Sequence, residues 1–495
     1  MKIDSNEKWT FEKIKWITDK IEDIGSNELG LDHYDYQIKI VDYDEMINMY
    51  TSVGMPTGYH HWSYGKKYSQ LIRRYRAGMG LAYEMVINSN PALVYCMEEN
   101  SMVMQALVIA HAAIGHNSFF KENFSFRQWE FADAIIDYLE FAKNYVTHCE
   151  LKYGADKVEK VIDACHSLMM YGVDKYTHPP KLSVKEEEDR AVARREYLQS
   201  KLNVLWRQPV PDNKSSSAKK CFPEEPQENI LYFLEKNAPE LPSWKREIIR
   251  IVRKIGQYFY PQRQTNVVNE GFATFVDYHI MNRLYEKELL TSGAWLEFID
   301  SHCGIIFQSE YDETINGHQI YNGINPYALG FAIFSDIKRI CENPTDEDKE
   351  WFPGLANTDW LNAVKFAAKS FKNDSFVLQY LSPKVIRDFR FFSYFDDGKS
   401  DHIEITAIHQ NRGYEKIRSI LASQYDIGLT TPDIEVVDVA RRGNRTLTLR
   451  HNMINGKLLH EESAKKTLGY IQSLWEFPVE LKAEENGRFV KLYTP

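Results

Sequence analysis

Cysteine is scarce and poorly placed for cross-linking. The 495 residues hold six (Cys96, Cys149, Cys165, Cys221, Cys303, Cys341), with no Cys-x-x-Cys pair. That spacing argues against a disulfide scaffold or a cysteine zinc knuckle and fits reduced, mostly buried thiols. A basic excess is also missing. Lys and Arg total 60 against 70 Asp and Glu, a formal charge of −10, so no surplus cation replaces phosphate counterions and nucleic acid is not an expected partner. Apolar runs such as Ala106–Ala110 fall far short of the ~20 residues a membrane span needs. The N-terminal MKIDSNEKWTFEKIKW is charged and amphipathic, without an apolar signal core. A cytoplasmic protein is expected. No GxSxG elbow, Walker loop or paired-glycine dinucleotide fingerprint occurs, so no nucleotide cofactor is expected either.

What is present is an ordinary globular composition, 43% hydrophobic and 26% charged, with aromatics at 13% that suit filled cores and aromatic-lined clefts. The length calls for two or three domains. Phe11, Ile14, Ile17, Ile21 and Ile24 recur at helical spacing and predict an opening amphipathic helix. Tyr36–Ile40 alternates like a short strand, and Met97–Ala113 reads as a long apolar helix. Further helices are expected at 131–145, 156–172, 229–238, 243–260, 269–289, 293–301, 326–341 and 358–370. Between them, 181–228 is a charged helix followed by a Pro/Ser/Lys-rich loop, read as an excursion within one helical domain. Near residue 400 the texture changes. Strands at His402–His409, Asp433–Val439, Thr446–His451 and Val479–Ala483 alternate with helices at Gly413–Tyr425 and Glu461–Trp475, in the β-α-β-β-α-β order of a ferredoxin-like module. The expected fold is therefore mainly α, a large multi-helical domain over 1–400 followed by a small α+β module over 401–495.

One constellation looks built for chemistry. His111 and His116 lie in the apolar LVIAHAAIGHNSFF (107–120), and Glu270 and Asp277 lie two helical turns apart in NEGFATFVDYH (269–279). Buried carboxylates need a cation, a metal or hydrogen-bond donors. The histidine spacing of five is about 140° around an α-helix at ~3.6 residues per turn, so one ion can take both only if the helix ends or bulges at Gly115. The plain alternatives are core histidines bonded to backbone or carboxylates, and Glu270 paired with Arg253 or Arg263. His61, on the glycine-bracketed GYHHWSYGKK (58–67), and Tyr258, in YFYPQR (258–263), are candidates for polarising a substrate. Arg73, Arg74 and Arg76 could grip an anion or simply form a solvated helix face.

Long strings carry a resemblance: GMPTGYHHWSYGKKY (54–68), GLAYEMVINSNPALVYCMEENSMVMQALVIAHAAIGHNSFFKEN (80–123), IVRKIGQYFYPQRQTNVVNEGFATF (251–275), INPYALGFAIFSDI (324–337), SFVLQYLSPKVIRDFRFF (375–392), AIHQNRGYEKIR (407–418) and RTLTLRH (445–451). They closely resemble the SpoVR family, the stage V sporulation protein R-like proteins of bacteria. In spore formers that resemblance implies a link to assembly of the spore cortex. In bacteria that never sporulate it implies genetic company with a serine protein kinase and a von Willebrand A-like protein. Family members commonly carry histidine where this chain has Asp277, and the oxygen ligand would shift metal preference from Zn toward Mn, Fe or Mg.

Two functional readings follow. In the first, His111, His116, Glu270 and Asp277 hold a divalent metal (Zn, Mn or Fe) in a hydrolytic site, with Glu270, His61 and Tyr258 as catalytic candidates and a cell-wall fragment or peptide as substrate. In the second, the polar cluster is structural and the C-terminal module docks a serine protein kinase or another partner.

Overall fold

A computed structural model describes residues 1–52, 58–76, 84–175, 222–223, 225–309, 314–315, 318–319, 323–391, 394–395, 404–405, 411–440 and 443–495. Most of the charged excursion at 181–228 and of the strand expected at His402–His409 lies outside the described residues, as do the side chains of Arg74 and Arg76. The chain divides into two compact units. One is residues 1–162 with 254–432, and the other is 163–253 with 433–495. Helices dominate, and among the described residues none is long and apolar enough to cross a membrane.

In the first unit the opening helix spans Phe11–Asp23, with Thr10 capping it by accepting from the Lys13 N–H. Ile14, Ile17 and Ile21, spaced three and four apart, form its buried stripe. A three-stranded sheet follows, with Ala92–Met97 at its centre. Tyr36–Val41 runs parallel to it, and Glu84–Ile87 runs antiparallel on the other side, with Glu84 opposite Cys96. The single helix expected over Met97–Ala113 is resolved into three parts. The strand ends at Met97, Ser101 caps an α-helix at Met102–Val108, and the chain then widens into a π-helix at Ile109–His116 before an α-helix at Asn117–Glu122.

Against that π-helix lies the longest helix described, Tyr260–Glu286, which begins nine residues before the expected Asn269. Asn373 Oδ1 accepts from the N–H groups of Val267 (2.9 Å) and Val268 (3.2 Å), a side-chain anchor just ahead of Asn269 and Glu270. Two glycine contacts set the helix spacing. A Cβ on Gly115 would lie 2.8 Å from Ala273 Cα, and one on Gly271 would lie 2.3 Å from Gly330 Cα in helix Pro326–Glu342. Backbones this close leave room only for hydrogen. They bring 109–116, 260–286 and 326–342 together around one interior.

The second unit carries the C-terminal sheet. Asp433–Val439 pairs antiparallel with Leu447–Asn452, helix Glu461–Trp475 crosses over, Val479–Glu485 lies parallel to Leu447–Asn452, and Arg488–Tyr493 closes the edge. The module is small and α+β, as expected, but its order is β-β-α-β-β rather than β-α-β-β-α-β. The described part of the expected first strand, Glu404–Ile405, pairs with Tyr394–Phe395 in a separate hairpin of the first unit. Residues 163–253 group with this sheet instead of with the helices before them. Gln227 exchanges both backbone hydrogen bonds with Val436 (2.9 and 2.8 Å), and the Phe233 ring lies 6.1 Å from Trp475. The packing thus divides the chain along other lines than a cut near residue 400.

Candidate metal centre

The π-helix answers the spacing problem. Its i→i+5 repeat puts residues five apart on one face, and His111 and His116 stand with ring centroids 4.6 Å apart at 86°. Each imidazole is about 5% exposed and is held from behind through Nδ1. His111 Nδ1 donates to Asp277 Oδ2 at 2.6 Å, and His116 Nδ1 donates to Asn269 Oδ1 at 2.9 Å. These partners leave both Nε2 atoms with free lone pairs on the shared side. Glu84 Oε1 lies 3.2 Å from His111 Nε2, and Glu270 Oε2 lies 3.4 Å from His116 Nε2 and 3.8 Å from His111 Nε2. One ligand atom each from Glu84, His111 and His116 falls within 4.8 Å of the others.

Several of these atoms are buried without a hydrogen-bond partner among the described residues: His111 Nε2, Glu270 Oε2 and Glu84 Oε2. Orphaned buried polar atoms are rare and costly, and two of these, His111 Nε2 and Glu270 Oε2, lie 3.8 Å apart. Two imidazole nitrogens and two carboxylates are also the donor types a divalent first-row metal takes.

The electrostatics describe a cluster short of positive charge. Burial raises the Glu84 carboxyl despite the pull of His111 and His116. Burial likewise pushes Asp277 up to about 6, overriding His111. At Glu270 burial is outweighed by His116 and His111, which hold its carboxyl well below the usual range. At His111 burial opposes the imidazolium, yet Glu84, Asp277 and Glu270 together raise it well above an ordinary histidine. The three carboxyls thus favour positive charge at the place that a cation between the Nε2 atoms would occupy.

Two tyrosines flank the carboxylates. The Tyr50 hydroxyl donates to the Glu84 carbonyl. Tyr327 stacks over His111 at 6.2 Å and 22°, and Glu270 together with burial keeps its phenol protonated.

Of the residues expected from sequence, His111, His116, Glu270 and Asp277 come together, with Asp277 on the Nδ1 side of His111. The alternative partner for Glu270, Arg253, is instead 3.2 Å from Glu235. His61 and Tyr258 are placed elsewhere. His61 Nδ1 lies 2.7 Å from Ser63 Oγ, in a cleft of about 1090 Å³ lined by Lys39, Tyr59, Trp62, Tyr64 and Tyr95. Among the described residues that line this cleft, none belongs to the cluster. Tyr258 donates to the Asn88 carbonyl at 3.0 Å, beside Glu130, which Asn88 also caps.

Glu130 gives a pH prediction. Burial raises its carboxyl well above the ordinary 4.5, so the native state keeps a proton that the unfolded chain has lost. Stability from this site is therefore present at acid pH and falls as pH rises past the unfolded value. Glu130→Gln, a neutral isostere, is expected to remove that slope. Urea melts at pH 5 and pH 8 should show the variant gaining on the wild type at the higher pH, and parallel curves would refute it.

Glu84, Tyr50, Tyr327 and His302 escaped the sequence reading. For Glu84 the signal was available: a lone carboxylate opening the apolar strand Glu84–Ile87 must find a partner, by the argument already applied to Glu270.

Fold and cluster define a mainly helical protein whose interior gathers imidazoles and carboxylates. The chain belongs to the SpoVR family: the family described as "SpoVR like protein" matches residues 8–430, and "SpoVR-like C-terminal domain" matches residues 432–486. It is 50% identical over 488 residues to the "Uncharacterized protein YcgB" of Escherichia coli (strain K12), covering 98% of this chain and 94% of that protein. No solved structure matches it.

Proposed function

We propose that this SpoVR-family protein is a metal-dependent hydrolase, with Glu84, His111 and His116 as ligands and Glu270 as the base beside them. The carrying observation is the convergence of these side chains, with His111 Nε2 and Glu270 Oε2 buried and, among the described residues, without hydrogen-bond partners. A bound divalent ion would supply an acidified water and a Lewis acid. The protein's own groups do the rest. Asp277 and Asn269 fix the tautomers that turn both Nε2 atoms inward. Glu270, held anionic, is placed to take a proton from the attacking water. The protonated Tyr327 is a donor for charge that develops on a carbonyl oxygen. Peptides and cell-wall fragments are the substrates to try first.

Protein purified without chelators is expected to carry about one Zn, Mn or Fe per chain by elemental analysis. Glu270→Gln should keep that metal and its melting temperature while losing cleavage of a peptide or peptidoglycan-fragment panel by about 100-fold or more. Absence of stoichiometric metal would end the proposal.

A second reading is favoured by the edge strand Arg488–Tyr493, where Phe489, Val490 and Leu492 are exposed on an open sheet edge. There the second unit would dock a partner such as a serine protein kinase. A pull-down with purified kinase that is indifferent to Phe489→Lys would count against it.

A further inference from the structure

Behind the cluster stands a side chain that the proposed reaction leaves unused. His302, on helix Ser292–Ile305, is 3% exposed, and among the described residues neither of its ring nitrogens has a hydrogen-bond partner. Rings enclose it: Tyr278 and Phe331 at 4.9 Å and Phe298 at 5.7 Å. Its Nδ1 faces Asp277 Oδ1 at 3.9 Å, and that oxygen is also buried without a partner. The other oxygen of Asp277 holds His111.

An aromatic cage of this kind would be filled as well by phenylalanine, and an imidazole there is costly unless it bonds to something. Among the described residues it faces the unsatisfied oxygen of Asp277, and a shift of roughly 1 Å closes the gap to hydrogen-bond length. We propose that His302 is a positioning residue for the metal centre, acting through Asp277 on His111. In this arrangement His302 Nδ1–H donates to Asp277 Oδ1, and Asp277 Oδ2 accepts from His111 Nδ1–H. The His111 ring is then locked with Nε2 toward Glu84 and Glu270. With both oxygens engaged, Asp277 cannot rotate away from His111. The inference rests on the metal reading given above.

The test uses the full chain, Co(II) as the probe, and the visible d–d band as a report on coordination geometry. His302→Phe, which keeps the ring packing, is expected to weaken Co(II) binding roughly tenfold and to shift the band. His302→Gln, which keeps a donor, should recover most of the loss. In an Asp277→Asn background, His302→Phe should add little. Unchanged affinity and band in His302→Phe, or effects that add in the double variant, would overturn the inference while leaving the metal reading intact. Should His302→Phe not fold, His302→Leu takes its place: a roughly tenfold weaker Co(II) affinity is the expected result, and unchanged affinity overturns the inference. A wild-type chain that binds no Co(II) overturns the metal reading, and this inference with it.

Discussion

Replacement of His111 by alanine is expected to remove stoichiometric metal and to destabilise the first unit by about 3–5 kcal/mol. The size follows from its contacts. His111 touches Glu84, Glu270 and Asp277, all within 4 Å. In the metal-free protein its imidazole is the partner that three buried carboxyls face, and in the metal-bound protein its Nε2 is a ligand. Deletion removes both at once and leaves Asp277, 1% exposed, without its 2.6 Å partner. His279 supplies the control. It lies two residues from Asp277 but is neutral, its ionisation pushed down to about 4 mainly by burial, with Nδ1 donating to the Phe275 carbonyl. His279→Ala should lose packing against Trp360 and leave metal content unchanged. Elemental analysis and thermal melts of the two variants decide the matter. Equal metal content in His111→Ala and wild type would mean that the cluster is only a buried polar network.

How much of this was legible depends on how far the causes lie along the chain. Histidines and carboxylates in apolar helices announce a need for partners, and His111, His116, Glu270 and Asp277 could be named on that ground alone. Their convergence could not. A 3.6-residue period sets His111 and His116 on different faces, and only the widening to a π-helix at Ile109–His116 reunites them. Gly115 hinted at a break, but its actual use is close approach to Ala273 in a helix more than 150 residues later. Glu84 and His302 belong to the site through tertiary contact, on a strand and a helix with no motif of their own. In the C-terminal module, helix Glu461–Trp475 is legible to its ends from its helical periodicity, and strand Asp433–Val439 from its run of β-branched residues. Strand Val479–Ala483 is present and runs on to Glu485, while the further strand Arg488–Tyr493 is absent from the expected module although Asn486-Gly487, both at positive φ, is a strong hairpin signal. The module's order was misassigned because His402–Ile405 alternates like a sheet strand, while its described pairing is with the short segment Tyr394–Phe395.

The second large effect is expected from a single methyl group. Gly330→Ala would place a Cβ 2.2 Å from the Val267 carbonyl oxygen and 2.6 Å from Gly271 Cα. Both neighbours are backbone, so no side-chain rotation relieves the contact, and helices 326–342 and 260–286 must separate. Overpacking typically costs about 1–3 kcal/mol, and a backbone-to-backbone clash belongs at or above the top of that range. The consequence for the site is specific. Glu270 lies next to Gly271, and Tyr327 lies one turn before Gly330, so separating the helices draws the base away from His116 and the phenol away from His111. A displacement near 1 Å is enough to cost about 100-fold in a catalytic step. Gly304, near the end of helix Ser292–Ile305, makes the comparison sharp, since among the described residues a Cβ there meets nothing within 4 Å. Gly304→Ala is expected to be neutral or stabilising by up to ~1 kcal/mol through helix propensity. Melting temperature and Co(II) affinity, measured on both variants, should fall together in Gly330→Ala and in neither respect for Gly304→Ala. A Gly330→Ala protein that melts and binds Co(II) like the wild type would show that the close helix crossing is not what holds the centre together.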